Sequence, residues 1–158
     1  MEFFIREAKR QDCALILEFI KELAIYEKLE DEVVATVDVL EESMFDKKSA
    51  QALIAFEGNH AVGFALYFYN FSTFLGKAGL YLEDLYIREP YRKKGYGKKL
   101  FKALANIAID RGCERLDWAC LNWNQSSIDF YLSLNARPVS EWTTYRLEGR
   151  TLRNFALD

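Results

Sequence analysis

Histidine and cysteine are scarce in this chain. There is one histidine, His60, in a Gly58-Asn59 turn, and three cysteines, Cys13, Cys113 and Cys120. The cysteine number is odd and no Cys-x-x-Cys spacing occurs, so no metal site is expected and the three thiols read as core or near-core groups. Long apolar runs are also missing. No stretch reaches the roughly 20 residues of a membrane span. The opening Met1-Glu2-Phe3-Phe4-Ile5-Arg6 lacks a basic region followed by an apolar signal core, so a cytoplasmic protein is expected. An excess of positive charge is absent too: the formal net charge of −3 argues against nucleic acid as the main partner. Internal repeats, low-complexity tracts and linkers do not occur.

What is present is apolar material. Half the 158 residues are hydrophobic and 15% are aromatic, enough for one domain over 1–158 with a single core. Charge is unevenly placed. Glu27 to Asp46 carries eight acids and one lysine, whereas Arg88 to Lys102 carries seven bases and one acid. One region suits a cation and the other a polyanion.

In chain order the patterning predicts a strand over Phe3–Glu7 and a helix over about Gln11–Tyr26. Cys13, Ile16, Leu17, Ile20 and Ala24 share one face of that helix. Thr36 can cap a second helix running through Val39, Leu40, Met44 and Phe45. Strands over Ala50–Phe56 and Ala61–Phe71 flank the hairpin signal Glu57-Gly58-Asn59-His60. Leu80–Ile87 reads as a buried central strand closed by Pro90, and Lys98–Arg111 as a helix stopped by Gly112. A strand over Arg115–Leu121, a helix over about Gln125–Leu134 with Asn135 as left-handed cap, final strands over Val139–Leu147 and a tail from Thr151 to Asp158 complete the order. The fold class is α/β (α+β): three layers around a mixed central β-sheet flanked by helices.

The chain is organised around Arg92-Lys93-Lys94-Gly95-Tyr96-Gly97, set between the central strand and the helix that begins near Lys98. A strand, a glycine turn and a helix N-terminus converge free N–H groups and positive dipole potential into an anion site. A P-loop signature is absent, as is the third glycine of a dinucleotide fingerprint. The remaining Arg-x-x-Gly-x-Gly resembles the pyrophosphate loop of the GNAT superfamily of acetyl-CoA-dependent N-acetyltransferases. Leu23-Ala24-Ile25-Tyr26-Glu27, Tyr81-Leu82-Glu83-Asp84, Trp123-Asn124 and Asp129-Phe130-Tyr131 are similar to the diamine (spermidine/spermine) and thialysine N-acetyltransferase branch. The likeness runs over nearly the whole chain.

That resemblance implies acetyl-CoA as cofactor, lying in a cleft between two splayed strands, one ending near Ile87 and one near Leu121. Leu85, Tyr86, Ile87, Arg92, Lys93, Lys94, Gly95, Tyr96, Gly97, Lys98, Asn124 and Tyr131 would bind it. Glu83 would be the general base and Tyr131 the acid that protonates the departing thiolate. Tyr26, Glu27, Phe74, Glu83 and Asp84 would bind a small cationic amine, with a second subunit of a homodimer supplying Tyr26 and Glu27. From the residues alone, Glu83 reads equally as an exposed edge carboxylate or one half of a buried ion pair, and Tyr131 as a core aromatic. Partial burial is expected to raise the proton affinity of Glu83, and a regular strand would turn Asp84 to the opposite face. Phe74 departs from the branch, whose members carry tryptophan there, and one extra residue stands between Phe74 and Glu83. Direct attack is expected, because Cys113 and Cys120 have no histidine to activate a nucleophile. A protein or peptide amine as acceptor, and a CoA-binding sensor without turnover, are the alternatives.

Overall fold

The computed structural model describes residues 1–157, which form two compact units, Met1–Leu121 and the stretch from Asn122 onward. The first contains β1 (Phe3–Glu7), α1 (Cys13–Tyr26), α2 (Val37–Glu41), β2 (Gln51–Glu57), β3 (His60–Ser72), β4 (Lys77–Ile87), α3 (Tyr96–Asp110) and β5 (Leu116–Trp118). The sheet order is β1-β2-β3-β4-β5. Neighbours are antiparallel except β4 and β5, which run parallel and are joined through α3.

Alternation along the strands divides the core between the two faces. On one face Ala52, Ile54 and Phe64 pack with Ile16 and Phe19 of α1 and with Met44. The Phe19 and Phe64 rings stack at 5.2 Å. Phe19 therefore does more for this face than the half-buried Leu17 and Ile20 expected there. On the opposite face lies α3, whose Leu100 and Leu104 are fully buried, worth about 1.5–3 kcal/mol each. Phe101 meets Trp118 of β5 edge-on, and Tyr96 stacks on Phe3 of β1 at 4.1 Å. Helix, sheet and helix make the three layers that the patterning predicts.

Local signals act as expected. The Val39 amide donates to Thr36 Oγ1 at 3.2 Å, capping α2. Gly58 (φ +59) forms the β2–β3 turn and Gly112 (φ +78) ends α3, both in the left-handed region open to glycine. Among the described residues no helix is long and apolar enough to cross a membrane.

The second unit contains α4 (Gln125–Ser133) and α5 (Gly149–Leu157). Buried Asn124 caps α4, its Oδ1 accepting from the Ser127 amide at 3.4 Å. Asn135 follows α4 at φ +66, the expected left-handed cap. The strands expected over Val139–Leu147 are not formed. This segment joins no sheet, and Trp142 and Tyr145 are 72% and 90% exposed. Its β-favouring residues supply propensity, but a strand exists only when a partner ladder satisfies its backbone. The expected tail is instead the helix α5 as far as Leu157; Asp158 lies outside the described residues.

Candidate active site

The strand expected to be central is β4, which lies one place from the sheet edge, with β3 at the centre. β4 and its parallel neighbour β5 part at one point. β5 pairs with β4 from Leu80↔Leu116 to Leu82↔Trp118 and stops, whereas β4 continues to Ile87. β5 is thus shorter than the expected Arg115–Leu121. From Glu83 onward the edge of β4 that faced β5 has no strand partner among the described residues. Such backbone can hydrogen-bond an extended, amide-bearing ligand.

The other side of β4 slips at the same place. Leu66 of β3 opposes Asp84 and Tyr67 opposes Leu82, which leaves Glu83 as the extra residue of a β-bulge. Leu66 and Tyr67 point to opposite faces, so the bulge places Asp84 on the face opposite Leu82, where a regular strand would align the two. Leu66 packs against the α1-side core, and Asp84 shares that face with Tyr86. Tyr86 packs against Phe19, and its hydroxyl donates to Glu22 of α1 at 3.2 Å.

Three carboxyl groups of one chain meet here. Glu83 is exposed, and the partial burial expected of it falls on Asp84 instead, which the bulge moves to the α1 side of the sheet. Burial, then the charges of Glu83 and Glu27, push Asp84 up to about 7. Glu27, at the C-terminus of α1, is also raised, by burial and then by Glu83. Within one chain, Glu27 stands beside Glu83 and Asp84.

Asp84 carries a consequence for stability. The folded chain holds its proton more tightly than an unfolded chain, whose aspartate titrates near 3.8. Stability from this group is therefore complete at pH below 3.8 and lost as pH rises through about 7. Asp84→Asn should raise the melting temperature at pH 8 and leave it nearly unchanged at pH 4. A lower melting temperature at pH 8 would mean that the carboxylate is satisfied by partners.

The glycine turn stands at the N-terminus of α3. Gly95 has φ +82, and the first helical hydrogen bond runs from the Lys99 amide to the Gly95 carbonyl. The amides of Tyr96, Gly97 and Lys98 precede that bond and lack intrahelical acceptors, as an anion site requires. Arg92 Nε donates to the Ile87 carbonyl at 2.7 Å, and its guanidinium lies over the Tyr86 and Tyr26 rings at 5.5 and 5.4 Å. Lys94 Nζ donates to Glu57 at 3.1 Å. Arg92 and Lys94 thus hold the turn in place, while the exposed Lys93 and Lys98 face solvent beside it. Leu85, Tyr86 and Ile87 end β4 beside it.

Phe74 is not brought to the acids. It is 89% exposed in the β3–β4 turn beyond the Ser72↔Lys77 pair, on the order of 20 Å along β4 from Glu83 at about 3.3 Å per residue. In the second unit Tyr131 is half-buried near the end of α4, its ring 5.8 Å from that of Phe130. Sequence reasoning missed Glu57, Glu22 and Arg88. Arg88 Nη2 meets Glu22 at 2.9 Å and stacks over Phe19, fixing α1 against the end of β4. Glu57 precedes a Gly-Asn turn and carries no sequence signal beyond that.

Comparison with known proteins identifies the family. The profile described as Acetyltransferase (GNAT) family matches residues 5–135. The thialysine N-epsilon-acetyltransferase of Sus scrofa is 40% identical over 164 aligned residues, 96% of each chain. The L-ornithine N5-acetyltransferase NATA1 of Arabidopsis thaliana is 44% identical over 91 residues, 58% of this chain and 40% of that protein. The integron cassette protein VCH_CASS6 from V. cholerae superposes with a TM-score of 0.84 at 29% identity, over 100% of this chain and 99% of that one. This chain belongs to the acetyltransferase (GNAT) family and is an N-acetyltransferase.

Proposed function

We propose that this enzyme transfers the acetyl group of acetyl-CoA to a primary amine of a small molecule with several cationic centres: a polyamine, a diamine or a thialysine-like compound. The observation that carries this is the meeting of Glu27, Glu83 and Asp84 where β4 leaves β5. Three mutually repelling carboxyls gain most from a ligand that brings more than one positive charge. Relatives named for thialysine and L-ornithine support the same substrate class. Homodimerisation, implied by the resemblance, belongs to the proposal, with each chain building its own acidic wall.

Acetyl-CoA supplies an activated thioester. The edge of β4 at Leu85–Ile87 that β5 does not cover would hold its amide-bearing arm. The amides of Tyr96, Gly97 and Lys98 would hold its pyrophosphate, with Lys93 and Lys98 adding charge. The resemblance further implies a hydrogen bond from Asn124. Glu83 would take a proton from the bound ammonium, leaving a neutral amine as the direct nucleophile. The resemblance also implies Tyr131 as the acid that would protonate the departing sulfur. Asp84 and Glu27, with the Tyr26 ring, hold the amine's other charges. Phe74 is left out of the amine pocket, since it stands at the far end of the hairpin.

Gly97 offers a test of the cofactor's place. A Cβ built there meets only Leu85 Cδ2, at 3.9 Å, so Gly97→Ala should fold normally. The methyl would nevertheless stand where backbone must approach phosphate. Acetyl-CoA at 100 times its dissociation constant should stabilise the wild type by about 2.7 kcal/mol, and the variant by less at the same concentration. Equal thermal protection would remove this turn from the cofactor site.

A further inference from the structure

We propose that Glu57 is a positioning residue for the cofactor: its carboxylate holds the Gly95 turn in the conformation that receives pyrophosphate. This rests on the acetyl-CoA reading of the turn. Glu57 is the last residue of β2 and is 9% exposed, unusual burial for a carboxylate. It accepts hydrogen bonds from the Tyr96 hydroxyl and from Lys94 Nζ. These donors flank Gly95, whose left-handed backbone makes the turn possible. One carboxylate thus grips the turn on both sides of its most adaptable residue.

The grip belongs to the rigid sheet. Glu57 pairs with Phe3 of β1, and the Phe3 ring stacks on Tyr96 with the planes 19° apart. A single rung of the sheet therefore supplies an apolar seat for the Tyr96 ring and an anion for its hydroxyl. On the opposite side, Arg92 ties the start of the turn to the end of β4 through the Ile87 carbonyl. The turn is tethered to two strands before any ligand arrives. Hydrogen bonds from Tyr96 and Lys94 hold the Glu57 carboxyl below its ordinary range, so it remains ionised at neutral pH.

Preorganisation is the physical reason for such a clamp. Amides at a glycine turn bind phosphate only when they converge, and ordering them upon binding would subtract from affinity. The clamp also changes the role of Lys94. Its charge is answered by Glu57, so its contribution to binding is the shape of the turn more than net positive potential.

The test uses Glu57→Gln and Tyr96→Phe in the full chain, with acetyl-CoA affinity measured by calorimetry and both substrates titrated in steady state. Each change should weaken acetyl-CoA binding about tenfold, as expected when a charge-assisted hydrogen bond is lost. At saturating acetyl-CoA, kcat should stay within about twofold and the KM for the amine should not move. The double variant should weaken binding no more than either single change, because both break one clamp. A purely structural role would lower kcat and both affinities together, and overturns the proposal. Unchanged acetyl-CoA affinity in both variants, with Gly97→Ala impaired, also overturns it while leaving the turn as the cofactor site. If Gly97→Ala binds normally as well, the cofactor reading itself fails. Should Glu57→Gln fold poorly, Tyr96→Phe keeps the ring stack and decides alone.

Discussion

Glu83→Gln is expected to lower kcat/KM for the amine by about 10²–10⁴-fold, with acetyl-CoA affinity nearly unchanged. Glutamine keeps the size of the side chain and one acceptor oxygen but cannot take a proton. The amine would then attack only from the small fraction already neutral in solution, so the loss should shrink as pH rises toward the amine's own pKa. This also separates the two neighbouring carboxyls. Asp84 is turned toward the α1 side and pushed up to about 7, which suits a charge-holding residue that ionises fully when a cation arrives. Glu83, exposed at the bulge, is free to meet the reacting ammonium. Asp84→Asn should therefore raise the KM for the amine more than it lowers kcat. If Glu83→Gln keeps the wild-type rate while Asp84→Asn loses it, the base is Asp84. pH profiles of kcat/KM for both variants give the answer.

Tyr131→Phe is expected to be comparably damaging, about 10²–10⁴-fold in turnover, with acetyl-CoA binding nearly intact. The phenol, ordinarily near pKa 10, is a suitable donor to a leaving thiolate near 8.5 only when positioned for it. Phenylalanine preserves the ring and its contact with Phe130, so packing is a minor term in the comparison. Single-turnover measurement isolates the acetyl-transfer step. A wild-type rate would return Tyr131 to an ordinary half-buried aromatic.

The legible parts of the fold were those written in neighbouring residues. Thr36, Gly112 and Asn135 each announce a helix boundary through chemistry that acts within a few positions, and all three act as the sequence predicts. The bulge at Glu83 was not legible, since a register slip is a property of two strands and Glu83-Asp84 looks the same in a regular one. Its consequence, burial of Asp84 in place of Glu83, was lost with it. Trp142, Tyr145 and Leu147 failed for a related reason: they favour a strand but name no partner. In the site, the glycine turn and the acids were visible as residue types. The grip of Glu57 on Tyr96 and Lys94 was not, because it joins positions 37 and 39 apart in sequence.

The most direct measurement is acetyl transfer across a panel of acceptors, following thiol release from acetyl-CoA and the mass of the product. The panel should contain diamines and polyamines, thialysine, lysine and ornithine, monoamines, and lysine-bearing peptides. Rapid transfer of one acetyl group to small amines with a second cationic centre is predicted, with monoamines and peptides far slower. Thiol release that depends on peptides alone would contradict the account, and so would equal rates for monoamines, since the Glu27–Glu83–Asp84 wall would then select nothing.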